Sequence, residues 1–257
     1  VPTDRTGAGD PARTLALLWR DQPGTPRRGP RRGLDLHAVV DAATALADAD
    51  GLSALTIRRV AQGLGVAPMT LYTYVPGKAE LLELMLDAAY LRMRREDTSG
   101  LPWRHRLHRV AEENRELFGT HPWTARVSTL RPPLGPGSLA KYEHELAALD
   151  GLGLTDVQMD DCLTHLLTFV QANARAADDA RTVRQSTGMD DAQWWEEVGP
   201  LLDRVLDPAD YPLASRVGTA AGLAHDSAFD PAHAYQVGLG IVLDGLAGLI
   251  ESRDLSR

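Results

Sequence analysis

Residues 53–78 read SALTIRRVAQGLGVAPMTLYTYVPGK, and this stretch decides the fold. Thr56 stands where a helix N-cap is wanted, and Ile57, Val60, Ala61 and Leu64 follow at i, i+3, i+4 and i+7, which makes one apolar face. Gly65 occupies the position after Leu64, where a left-handed residue closes a helix without steric penalty. Pro68 suits the first turn of a second helix, because the N–H it lacks would be unpaired there anyway. That second helix is expected to be about two turns long, Pro68 to Tyr74, anchored by Leu71 and Val75. A helix this short has no stability of its own. Its other sides carry Met69, Thr70, Tyr72, Thr73 and Tyr74, a mixture of hydroxyls and aromatics in place of solubilising charge. Such a face fits a DNA major groove, where hydroxyls meet phosphates and base edges and a methionine meets a thymine methyl. The competing reading is a helical hairpin buried in a core. Cap, glycine turn, proline start and polar face all argue against it.

The stretch resembles the tetracycline-repressor (TetR) family. Its pattern T-x-R-x-[VL]-A-x-x-[LM]-G-V-x-x-x-T-L-Y-x-[YH]-[VF]-x-x-K-x-x-L-L is met by Thr56, Arg58, Val60, Ala61, Leu64, Gly65, Val66, Thr70, Leu71, Tyr72, Tyr74, Val75, Lys78, Leu81 and Leu82. The resemblance implies that Arg58 reaches a base edge, that Met69, Thr70 and Thr73 meet bases or thymine methyls, and that Tyr72, Tyr74 and Lys78 hold phosphates. The family has a small polar residue where Ala67 stands, so no side-chain cap is expected there.

Charge is divided along the chain. The 257 residues carry a net charge of −8. Residues 1–95 hold thirteen Lys and Arg against ten Asp and Glu, a net +3, and the remainder holds fourteen against twenty-five, a net −11. A basic head on an acidic body suits a protein whose head meets phosphate and whose body stays off it. Only two lysines occur, Lys78 and Lys141, beside 25 arginines, a bias typical of GC-rich coding sequence. The lone Cys162 suits a reducing, cytoplasmic setting, and its apolar surroundings suggest a buried, inert thiol. The N-terminus lacks the apolar stretch of a signal peptide, and no 18-residue uninterrupted apolar run predicts a membrane span.

The remaining pattern is all-α. Residues 1–9 are expected to be disordered, with a short amphipathic helix from Asp10 to Arg20. Residues 21–33, DQPGTPRRGPRRG, read as a linker that is either a solvated tether or a basic arm placing Arg28 and Arg31, beside Arg27 and Arg32, on DNA. Helices are expected at 35–50, 57–64, 68–74, 77–96, 102–120, 123–130, 137–150, 155–179, 190–206, 210–220 and 231–251. The domain division expected from this is an extension over 1–33, a three-helix helix-turn-helix head over 34–78 and a helical body over 79–257. Helix 231–251 is apolar nearly all round yet contains Gly238, Gly240, Gly245 and Gly248. Each glycine costs about 1 kcal/mol against alanine inside a helix, which is tolerable where another backbone comes close. A homodimer interface with helix 155–179 would supply that approach.

The body also resembles the branch of the family that includes the tetracycline repressor itself, through His121-Pro122-Trp123, Arg131 to Pro136 and Gly238 to Leu246. That resemblance implies a ligand-responsive homodimer on a palindromic double-stranded operator, most simply a repressor released by a small-molecule effector. It implies a pocket inside the body, for which His108, Asn114, Trp123, His165 and Phe169 are the candidate liners. The tetracycline repressor has a metal-binding histidine before its R-P turn; Arg126 to Leu130 offers none, so magnesium–tetracycline is not the expected effector. His105 and His108 share a ligand-like i, i+3 spacing but have no clear third ligand, so no metal or other cofactor is expected. No nucleophile elbow, P-loop or dinucleotide fingerprint occurs, and an enzyme has no chemistry to stand on. The rivals are an orphan DNA-binding regulator governed by a protein partner or by nothing and, more distantly, a helical binding protein or enzyme.

Overall fold

The computed structural model describes residues 4–20, 34–225, 227 and 230–254, with side chains as far as Ile250. Arg28 and Arg31 of the expected basic arm lie outside these residues. Among the described residues the fold is all-α. Its helices are α1 (Pro11–Leu18), α2 (Leu36–Asp50), α3 (Ile57–Gly63), α4 (Pro68–Leu71), α5 (Lys78–Arg92), α6 (Trp103–Thr120), α7 (Pro122–Arg126), α8 (Pro136–Ala147), α9 (Asp156–Thr187), α10 (Asp191–Leu202), α11 (Pro212–His225) and α12 (Pro231–Asp254).

Among the described residues two apolar cores hold the fold together. The first gathers α2, α3, α4 and the first part of α5 around Val39, Ala43, Leu55, Val60, Leu71, Val75, Leu81 and Met85. The second gathers α6, α8, α9 and α12 around Leu107, Val110, Leu149, Leu166, Val170 and Leu239. Helix α5 belongs to both, since Leu81 to Leu86 enter the first and Ala89 and Met93 the second.

Its polar side is buried as well. Glu80, Glu83 and Asp87 fall at i, i+3 and i+7, so they share one face of α5, and all three are covered. A buried carboxylate needs donors. Glu80 accepts from the Asp10 N–H at 3.2 Å and Glu83 from the Gly7 N–H at 2.9 Å. Asp87 accepts from the N–H groups of Gly137 and Ser138 at 3.2 and 2.8 Å, capping α8 from a different helix. Gly137 is required there, because a Cβ would collide with the backbone oxygen of Asp87.

Residues 4–9, expected to be disordered, are in fact tied down. Arg5 forms an isolated parallel bridge with Ser128; the Thr6 N–H donates to the Ser128 carbonyl at 3.1 Å and the Ser128 N–H to the Asp4 carbonyl at 3.0 Å. Leu18 of α1 enters the first core, and the Trp19 indole N–H donates to the Leu134 carbonyl at 2.7 Å. The extension is therefore a strap across α5 and the loop between α7 and α8.

Two further expectations change in the body. Helix α9 runs eight residues beyond 179 to Thr187, because the next breaker is Gly188 in the left-handed region (φ +67°). By length and composition α12 is apolar enough to cross a membrane, with mean hydropathy 1.3 over Pro231–Ile250. His233, Gln236 and Asp244 interrupt it, so a search for an unbroken run passes it over. A core helix of a water-soluble bundle meets the same composition test.

Candidate nucleic-acid interface and effector cavity

The helix-turn-helix follows its residues, except that α4 is four residues long and ends at Leu71, with turn conformation and no regular helix from Tyr72 to Tyr74. The Thr56 hydroxyl caps α3 by accepting from the Arg59 N–H at 3.2 Å. Gly65 takes φ +67°, which lets the Val66 N–H return to the Ala61 carbonyl at 3.0 Å. Leu71 and Val75 are fully buried and pin α4, which has no side-chain cap at Ala67. Anchoring on that side leaves Met69 73% exposed and Tyr72 47% exposed, with Arg58 and Thr73 exposed beside them and Thr70 half-buried. Thr73 donates its hydroxyl proton to the Thr70 carbonyl at 2.7 Å, which leaves its oxygen as an acceptor on an exposed side chain.

Two residues of the expected phosphate set are engaged elsewhere. Tyr74 is half-buried against the head core, and its hydroxyl donates to the Leu34 carbonyl at 2.6 Å. Its single proton is thus spent inside the head, and a donated bond from Tyr74 to phosphate is corrected to a structural contact. Lys78 donates to the Leu52 carbonyl at 3.1 Å and pairs with Asp4 at 3.1 Å, with its side chain 38% exposed.

The head is joined to the body by a second contact. Asp48 of α2 receives the Trp123 indole N–H at 2.8 Å and meets His121 Nδ1 at 2.8 Å. Trp123 is buried in the first core. It is therefore a strut at the junction and not a liner of a body pocket.

The other expected liners also scatter. His108 and His165 are exposed on α6 and α9. Asn114 is buried in a polar network: its Nδ2 donates to the Val110 carbonyl at 2.9 Å and to Glu145 at 2.6 Å, and Lys141 donates to the same Glu145 oxygen at 2.6 Å. Asn114 Oδ1 has no partner among the described groups. Beside this network, burial, and secondarily the Glu145 and Asp87 carboxylates, push the Tyr90 phenol well above its ordinary range, so it stays protonated.

Phe169 comes nearest to a cavity, through a neighbour that lines one. Its ring stacks on Tyr235 at 5.8 Å. Tyr235 forms one wall of a cavity of about 530 Å³, which is also lined by Arg115 and Phe118 of α6 and Asn173, Arg181 and Arg184 of α9. That volume is in the range of sites for drug-sized molecules. The Arg115 guanidinium sits 5.1 Å from the centre of the Tyr235 ring. The Tyr235 hydroxyl is buried without a well-formed hydrogen bond, and burial together with the nearby Glu112 raises its pKa, so it remains a proton donor. The sequence reading missed Arg181 and Arg184 because it ended α9 before them. Their i, i+3 spacing past Asp179 was the available signal.

Comparison with known proteins fits this geometry. Residues 39–85 match the model for bacterial regulatory proteins of the tetR family, and residues 97–250 match the tetracyclin repressor-like C-terminal domain. The HTH-type transcriptional repressor DrrR1 of Streptomyces coeruleorubidus is 38% identical over 252 residues, spanning 98% of this chain and 91% of that protein. Apo ActR from Streptomyces coelicolor superposes with a TM-score of 0.70 at 25% identity, over 87% of this chain and all of that one. ActR in complex with actinorhodin superposes with a TM-score of 0.68 at 26% identity, over 85% of this chain and 98% of that one. With both halves matched in order along one chain, the protein belongs to the TetR family of transcriptional regulators.

Proposed function

We propose that the protein is a homodimeric repressor that reads a palindromic operator with its two heads and leaves it when a small molecule fills the body. The observation that carries this reading is α5, one helix that follows the docking helix at its start and joins the body core at its end. The name of DrrR1 and the ligand complex of ActR support it. Head and body divide at about 34–78 and 79–257, and the cytoplasm is the compartment such a regulator works in.

Arg58, Met69, Thr70, Tyr72 and Thr73 form the reading face, Lys78 a phosphate contact, and Arg28 and Arg31 the arm. The second copy docks on α9 and α12. Val237 is 49% and Ile241 66% exposed on α12, and the faces of Gly245 and Gly248 open onto empty space. Apolar side chains and bare backbone on one exposed stripe fit a self-complementary two-fold contact. The effector cavity is the one between α6, α9 and the start of α12. Its arginines and stacked aromatic rings favour a planar aromatic molecule with acidic or phenolic groups.

The test is affinity for candidate ligands with and without saturating operator. Linkage requires the operator to weaken ligand binding by the factor by which ligand weakens operator binding. Emptying an operator from about 99% to 1% competence takes roughly 10⁴-fold preference of the ligand for the incompetent state. Equal ligand affinities in the two conditions would overturn effector control and leave an orphan DNA-binding regulator.

A further inference from the structure

We infer that Asp4 is a built-in stand-in for a DNA phosphate at Lys78, and that the N-terminal strap thereby sets the protein's affinity for DNA of any sequence. The inference rests on the proposed docking of Lys78 against the DNA backbone. A lysine ammonium has three donors. In the free protein one goes to the Leu52 carbonyl and one to the Asp4 carboxylate, each at 3.1 Å. Asp4 is held in place by the strap and is not a stray tail residue. Its carbonyl accepts from Ser128, two residues later Thr6 bonds back to Ser128, and Gly7 and Asp10 are fixed on Glu83 and Glu80 of α5. Gly7 turns the chain at φ +71°, a backbone state that a side chain would strain.

The ion pair stays open to solvent, with the side chains 38% and 31% exposed, so a phosphate oxygen can approach the same ammonium. It would meet a carboxylate already there. Two consequences follow from charge alone. Like charges around one ammonium weaken the contact, and the Lys78–Asp4 pair, carrying no net charge, neutralises less phosphate charge and so releases fewer of the cations condensed on the DNA. Ser128, Arg131 and Leu134, which hold the strap, all lie in the loop between α7 and α8 of the body.

The experiment uses the full-length protein, a labelled duplex enriched from a random library by that protein, and fluorescence anisotropy across a salt series. Asp4→Asn should tighten binding three- to tenfold at about 0.1 M salt and steepen the logarithmic salt slope by about 1. Lys78→Met should weaken binding, and Asp4→Asn added to Lys78→Met should change nothing further. The Asp4 side chain takes no part in the backbone bridge to Ser128, so Asp4→Asn leaves the strap's main-chain contacts available. With only two lysines in the chain, ¹³C-lysine labelling gives two Cε signals. One of them should move on Asp4→Asn in the absence of DNA. If Lys78→Met weakens binding while Asp4→Asn changes neither affinity nor slope, the stand-in is refuted and the docking of Lys78 stands. An equal gain from Asp4→Asn in the Lys78→Met background refutes it too. If Lys78→Met has no effect, the docking contact itself fails and takes the inference with it.

Discussion

Helices α5 and α12 are both rich in apolar residues, yet they are completed in different ways. Every residue of α5 from Glu80 to Asp87 is buried within a single chain, including the three carboxylates. Only 28% of the apolar stretch of α12 is buried in the same chain. One side of α12 is finished internally: Phe169 lies so close over Gly238 that a Cβ there would overlap the ring. On the other side Ile241 is exposed, and among the described residues nothing comes within 4 Å of where a side chain at Gly245 or Gly248 would start. Under the proposed function, burial inside one chain suits α5 to transmission, whereas the equally apolar but half-covered α12 suits docking of a second copy.

The largest test of that contrast is a pair of substitutions in α12. Gly245→Leu should abolish dimer formation and cut operator binding by more than about a hundredfold, since a two-fold reader loses half of its contacts. Sedimentation velocity and anisotropy check both effects, and a monomer that binds the operator normally would break the comparison. Gly238→Ala should do the opposite, leaving assembly intact while overpacking the body by about 1–3 kcal/mol, read from urea unfolding. At α5, Asp87→Ala should cost about 2–4 kcal/mol, because the N–H groups of Gly137 and Ser138 lose their acceptor. Tyr74→Phe should cost about 1 kcal/mol of stability through the lost bond to Leu34, with operator salt slope unchanged. The smallest expected effect is at the exposed Arg92–Asp41 pair (2.6 Å), where Arg92→Gln should shift stability by less than about 0.5 kcal/mol.

What could be read from the chain in advance was local. The Thr56 cap, the Gly65 turn and the Pro68 start each act within four residues of themselves, so the head emerges from the sequence nearly as it stands in the structure. The strap could not be read this way. Nothing in residues 4–9 signals order, because their partners are Glu83, Ser128 and Arg131, far along the chain. The cavity liners were lost for a related reason. His108 and His165 carry chemistry attractive to a ligand, but helical phase turns both outward, and phase in a body of many helices is set by tertiary packing. Trp123, expected beside a pocket in the body, is instead buried at the junction with Asp48, a contact 75 residues away in the chain that local pattern cannot reveal.

The three carboxylates of α5 also set its mechanics. Each is fastened to a different point outside the helix, at residues 7, 10 and 137–138. A rod fastened at three heights resists bending and answers a push by pivoting whole. With 15 residues, α5 is about 22 Å long, so a displacement of about 2 Å at its body end becomes roughly 5° of rotation at the end that carries the head. Such a lever needs no soft joint along its length, and two of its three fastenings lie on the strap.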